Sequence, residues 1–145
     1  MPPQNEGIEP RILIVDDQVS NVRLLEHTLR RAGYAEVMST TDPCKVIALH
    51  LEHGYDLMLL DLQMPIMDGF EVLAELQKIR PLHPVAVLVI SAGSGDMPAA
   101  LKPAGDSFLA KPFRLPEVVE RVQSMLKAAG AAAVVAAAQL GAEEH

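Results

Sequence analysis

Tryptophan is absent, cysteine occurs once, at Cys44, and aromatic residues make up 3% of the 145 positions. One cysteine excludes an intrachain disulfide and a cysteine-rich zinc site and fits a reducing compartment. Cys44 itself is expected to be a small buried side chain. Basic charge is scarce as well: 12 Lys and Arg face 19 Asp and Glu, a net charge of −7. That balance argues against direct contact with nucleic acid, which relies on a basic patch to neutralise phosphates, and against an anionic membrane surface. Long apolar runs are also lacking. The opening MPPQNEGIEP is polar and proline-rich, without the apolar core of a secretory signal, and no later run approaches the length of a membrane span. A cytoplasmic location is expected.

What is present is aliphatic. Half of the residues are apolar, enough for one compact core and few for two. Short continuous apolar runs alternate with longer segments of helical period, the signature of β-α units on a parallel sheet. After RILIV comes a helix with Val22, Leu25, Leu29 and Ala32 on one face, closed by Gly33. AEVMSTT is more polar and predicts an edge strand. Asp42 and Pro43 then cap and open a second helix. His50 and His53 lie in it at i, i+3; without a third ligand they predict surface residues better than half a metal site. A third strand, LMLLD, ends at Asp61. Asp68 is a natural cap for the next helix, whose buried stripe is Val72, Leu73, Leu76 and Ile79. VAVLVIS ends at Ser91 and SFLAKPF at Lys111. A last helix from about Pro116 carries Val118, Val122, Met125 and Ala129 on one face. Five strands and five helices fit the length.

The strand ends share a chemistry. Asp16 and Asp17 follow the first strand, Asp61 closes the third, Ser91 the fourth and Lys111 the fifth. In an open parallel sheet these ends lie along one edge, where ligands bind near the reversal of strand order. Singly, each has a dull explanation as a cap, a turn or a solvated lysine; together they form a charge-matched set. Two carboxylates about 4 Å apart repel by roughly 4 kcal/mol at an effective dielectric of about 20, so three in one pocket call for a cation. Oxygen ligation with places left for water and a phosphoryl oxygen suits Mg²⁺. A carboxylate held beside that metal, a lysine and a hydroxyl can attack phosphorus and become a phosphoaspartate.

The segments ILIVDD, LLDLQMPIMDG, VIS and FLAKPF, in this order and spacing, resemble the receiver domain of two-component response regulators. The resemblance covers roughly Arg11 to Ala128. It implies a doubly wound, five-stranded parallel sheet of order 2-1-3-4-5 flanked by five helices, the CheY-like form of the flavodoxin-like fold. It also implies Asp61 as phosphoacceptor, Asp17 as direct Mg²⁺ ligand, Asp16 as a ligand mainly through water, and the main-chain carbonyl of Gln63 as a further ligand. Lys111 is implied to pair with the phosphoryl group, Ser91 to close on it, Phe108 to change rotamer with it, and Pro112 to follow a cis peptide. The implied partner is a sensor histidine kinase or a histidine phosphotransfer protein.

Two features depart from the family's pattern. The stretch from Ser91 to Lys111 is short and carries Pro98 and Pro103, which predicts a short, irregular or mobile fourth helix. The alanine-rich tail contains no recognisable output domain. The expected organisation is a flexible segment over 1–10, a receiver domain over 11–128 and a tail or linker over 129–145. That tail, or the face of the fourth and fifth helices, is the candidate surface for a homodimer. Of the alternatives, a haloacid dehalogenase type hydrolase would carry a second acid where Gln63 stands, and a scaffold without phosphorylation would not keep every reacting position filled. A flavin module would need a Ser/Thr/Gly-rich loop after the first strand. As an enzyme the domain is borderline, catalysing only its own phosphorylation and dephosphorylation.

Overall fold

The computed structural model describes residues 9–62, 69–91 and 107–128. Five strands form one parallel sheet: β1 (Arg11–Val15), β2 (Glu36–Thr40), β3 (Leu57–Asp61), β4 (Ala86–Ser91) and β5 (Ser107–Ala110), in the order β2-β1-β3-β4-β5. Four α-helices accompany them among the described residues: α1 (Val19–Arg31), α2 (Val46–His53), α3 (Gly69–Ile79) and α4, residues 115–128. The short helix expected between Ser91 and Lys111, with Pro98 and Pro103, falls on residues 92–106, outside the described residues. So do the Asp68 cap, Ala129 and the tail.

The continuous apolar runs are strands covered on both sides. In β3 every residue is buried, and in β1 all but Arg11 are. Because side chains alternate across a strand, each run feeds two cores. Ile12, Ile14, Leu57, Leu59, Leu88 and Ile90 pack with Val22, Leu25 and Leu29 of α1 and Val118, Val122 and Met125 of α4. Leu13, Val15, Met58, Leu60, Val87 and Val89 pack on the other face with Val46 of α2 and Val72, Leu73 and Leu76 of α3. β2 buries only Val37 and lies at the sheet edge, as its polarity predicts.

Gly33 ends α1 as expected. It takes φ 110°, a left-handed conformation that glycine adopts without Cβ strain. Its N–H donates to the Arg30 carbonyl and the Tyr34 N–H to the Leu29 carbonyl, so carbonyls of the last turn are satisfied.

The second helix differs from expectation in detail. Asp42 does act as a cap, accepting from the Cys44 N–H at 2.9 Å, but it caps a single 3-10 turn, Pro43–Lys45, and α2 proper starts at Val46. That turn sets the phase of the buried stripe: Pro43, Val46 and His50 point inward. Two expectations are overturned as a result. Cys44 falls off the stripe and is exposed. His50 falls on it and is 2% exposed, not a surface residue. Its Nδ1 accepts from the Tyr55 N–H at 3.1 Å and its Nε2 lies 2.9 Å from the His83 carbonyl, so the ring joins α2, the start of β3 and the loop before β4. No helix among the described residues is long and apolar enough to cross a membrane.

Candidate functional site

Strand register brings the acids together. Val15 pairs with Leu60, so Asp16, next after β1, stands abreast of Asp61 at the carboxyl edge of the sheet. Asp61 pairs with Ile90 on its other side, one residue before Ser91, the last residue of β4. Ser91 pairs with Ala110, which puts Lys111 just past the same edge. This is the place where the order turns from β1 toward β2 on one side and β3 on the other.

Carboxylate oxygens of Asp16, Asp17 and Asp61 all lie within 4.8 Å of one another. Asp16 and Asp61 are 4% and 5% exposed, while Asp17 is half-buried. At an effective dielectric of about 20 each such pair repels by roughly 3 kcal/mol. The Lys111 ammonium lies 3.4 Å from Asp61 Oδ2 and supplies one opposing charge. Three carboxylates against one ammonium leave two negative charges when all are ionised.

Burial holds the Asp16 carboxyl above the usual value, and the Asp61 charge adds to the rise. Opposing it are the Gln18 N–H, which donates to Oδ1 at 2.9 Å, the Lys111 charge, and the Asn21 amide, which donates to Oδ2 at 3.3 Å. Asn21 escaped the sequence reading. Its signal was a polar residue one turn before Leu25, at the head of the buried stripe.

A close approach fixes the far wall. The Gly69 N–H donates to the Leu62 carbonyl at 3.0 Å, and a Cβ at Gly69 would meet the Leu62 Cα and stand 2.5 Å from the Asp61 carbonyl oxygen. Only glycine lets α3 start so near the end of β3. The Lys111–Pro112 peptide is cis. Phe108 is half-buried against the core on the α2–α3 face, and its carbonyl accepts from Arg121 of α4 at 3.0 Å. Gln63 lies outside the described residues, as does the loop of Pro65.

The donor set suits a hard cation. Three carboxylates, two of them buried, offer oxygen only, and among the described residues no histidine or thiolate joins the cluster. The fold and site thus define a doubly wound α/β domain with an acidic, cation-seeking pocket at its carboxyl edge. The chain belongs to the response regulator receiver domain family, whose model matches residues 12–123. It is 36% identical over 124 residues to the transcriptional regulatory protein PrrA of Mycobacterium tuberculosis, a match that covers 86% of this chain and 53% of that protein. The chain therefore spans about half the length of this curated relative. Among solved structures, a signal receiver domain from Vibrio parahaemolyticus superposes with a TM-score of 0.78 at 27% identity, covering 88% of this chain and 98% of that one. The response regulator TrrA of Thermotoga maritima, solved in complex with Mg²⁺-BeF, gives 0.69 at 28% identity, covering 80% and 98%.

Proposed function

We propose that this receiver domain takes a phosphoryl group from a phosphohistidine of a sensor kinase or phosphotransfer protein onto Asp61, in a Mg²⁺-dependent reaction. The observation that carries the proposal is the juxtaposition of three carboxylates within 4.8 Å with an ammonium 3.4 Å from one of them. An Asp61 carboxylate oxygen forms the new bond to phosphorus as the phosphorus–nitrogen bond of the donor breaks, and that electron pair returns to the imidazole. Lys111 stands where it can balance charge on the phosphoryl oxygens. Asp16, Asp17, Asp61 and the Gln63 carbonyl would hold the metal. When bound, Mg²⁺ supplies charge neutralisation at the transferring oxygens. The Thermotoga relative's complex with Mg²⁺-BeF supports this choice of ion.

Ser91 is assigned the hydroxyl that closes on the phosphoryl group, and Phe108 the aromatic that follows it. The working unit is residues 11–128, with 1–10 and 129–145 flanking it, and the setting is the cytoplasm. Incubation with Mg²⁺ and acetyl phosphate, followed by intact mass, tests the proposal. One added phosphoryl group in the native protein and none in Asp61→Asn is expected. Labelling of both at the same rate rejects Asp61 as the acceptor.

A further inference from the structure

Asn21 has no role in the chemistry just described, yet it touches the cluster. It lies in the first turn of α1, half-buried, and its amide Nδ2 donates to Asp16 Oδ2 at 3.3 Å. The other oxygen of the same carboxylate accepts the Gln18 N–H at 2.9 Å. Asp16 is thus held at both oxygens from the start of one helix, at a point where it is 4% exposed. Asn21 also lines one groove with Asp16, Lys111, Ile90 and Phe113.

The physical effect of such a grip is on order. A carboxylate with free rotation must give up that freedom when a cation binds, and one already held gives up less. A neutral amide does this without bringing a positive charge that would compete with the cation. The Gln18 donor belongs to the main chain; Asn21 is the side-chain half of the grip.

We propose that Asn21 is a positioning residue, presetting the Asp16 carboxylate for a divalent cation. The inference rests on the Mg²⁺ site assigned above. Groups that hydrogen-bond metal-ligating carboxylates commonly change metal affinity by about tenfold or more when removed, and Asn21 should fall in that range.

Direct Mg²⁺ titration by calorimetry tests it on the native chain, Asn21→Ala, Asn21→Leu, Asp16→Ala and the Asn21→Ala/Asp16→Ala double variant, each checked for folding by thermal melting. Asn21→Ala and Asn21→Leu should both weaken Mg²⁺ binding about tenfold. Leucine keeps the branched four-atom skeleton without a donor, so recovery of native affinity in Asn21→Leu would mean that Asn21 only fills space and would overturn the proposal. In the Asp16→Ala background, Asn21→Ala should cost nothing further, because the group it acts through is gone. Additive losses would overturn the proposal too. Native protein that binds Mg²⁺ beside variants of equal affinity removes the positioning role alone; native protein that binds no Mg²⁺ removes the metal site and the role together.

Discussion

The Lys111 ammonium and the Asp61 carboxylate lie 3.4 Å apart, although 50 residues separate them along the chain. The lysine side chain is 28% exposed and the aspartate 6%, so the pair is shielded from solvent more than a surface ion pair is. Lys111→Ala removes a cation from a pocket already rich in negative charge. It should lower the metal-free protein's stability by about 1–3 kcal/mol in urea unfolding. It should also slow acetyl phosphate labelling, while Lys111→Arg should retain part of the stability.

Asp61→Asn has the opposite effect on stability. It loses the Lys111 pair but removes repulsion with Asp16 and Asp17. The metal-free melting temperature should rise by roughly 3–5 °C, about 1 kcal/mol for a domain of this size. Millimolar Mg²⁺ should narrow the gap, since the native trio gains its missing charge. A lower melting point without metal would contradict a shared acidic pocket.

A pH dependence follows from Asp16, whose folded-state value lies above the ordinary 3.8. A raised carboxyl contributes stability that is fully present below the unfolded value and is lost as pH rises through the folded one. Asp16→Asn, a neutral isostere, should therefore stabilise the metal-free protein at pH 7 and confer little or nothing below pH 3.8. Melting curves of the two proteins across that window check the sign. An advantage that grows toward acid would contradict it.

Gly69→Ala tests the wall of the site. The new methyl group would meet the main chain of Leu62 and the Asp61 carbonyl, neither of which can turn aside as a flexible side chain could. A loss of about 1–3 kcal/mol is expected, read by urea unfolding. Slower labelling should accompany it, because moving the end of β3 moves Asp61.

His50→Leu keeps an apolar volume but leaves the Tyr55 N–H without its acceptor in a buried place. That donor and the His83 carbonyl together should cost about 1–3 kcal/mol. Since His50 bonds beside the start of β3 and Asp61 closes its other end, Mg²⁺ affinity should hold. A variant as stable as the native chain would show that the ring's two hydrogen bonds contribute nothing net.

The meeting of the three acids and Lys111 at one sheet edge was legible because strand ends are legible. A run such as LMLLD reads as a strand covered on both faces, and an acid at its end then falls at the rim. The stripe of α1 was equally plain, since Val22, Leu25 and Leu29 repeat at helical spacing. His50 and Cys44 were misjudged together, for one reason. A 3-10 turn between Asp42 and Val46 shifts the phase of α2, and sequence spacing alone does not say where such a turn gives way to an α-helix. Asn21 and Gly69 act through contacts with Asp16 and with the end of β3, which the sheet creates and the local sequence does not announce.

The strand order has a consequence for a chain made from its amino end. β1 and β3 are neighbours, so the three acids converge as soon as β3 docks, while the lysine that opposes them arrives only with β5. A nascent domain halted before its last strand would gather its negative charges with no ammonium to set against them. The residue that follows β5 then offsets one of the three charges, and a product truncated before it would lack that offset.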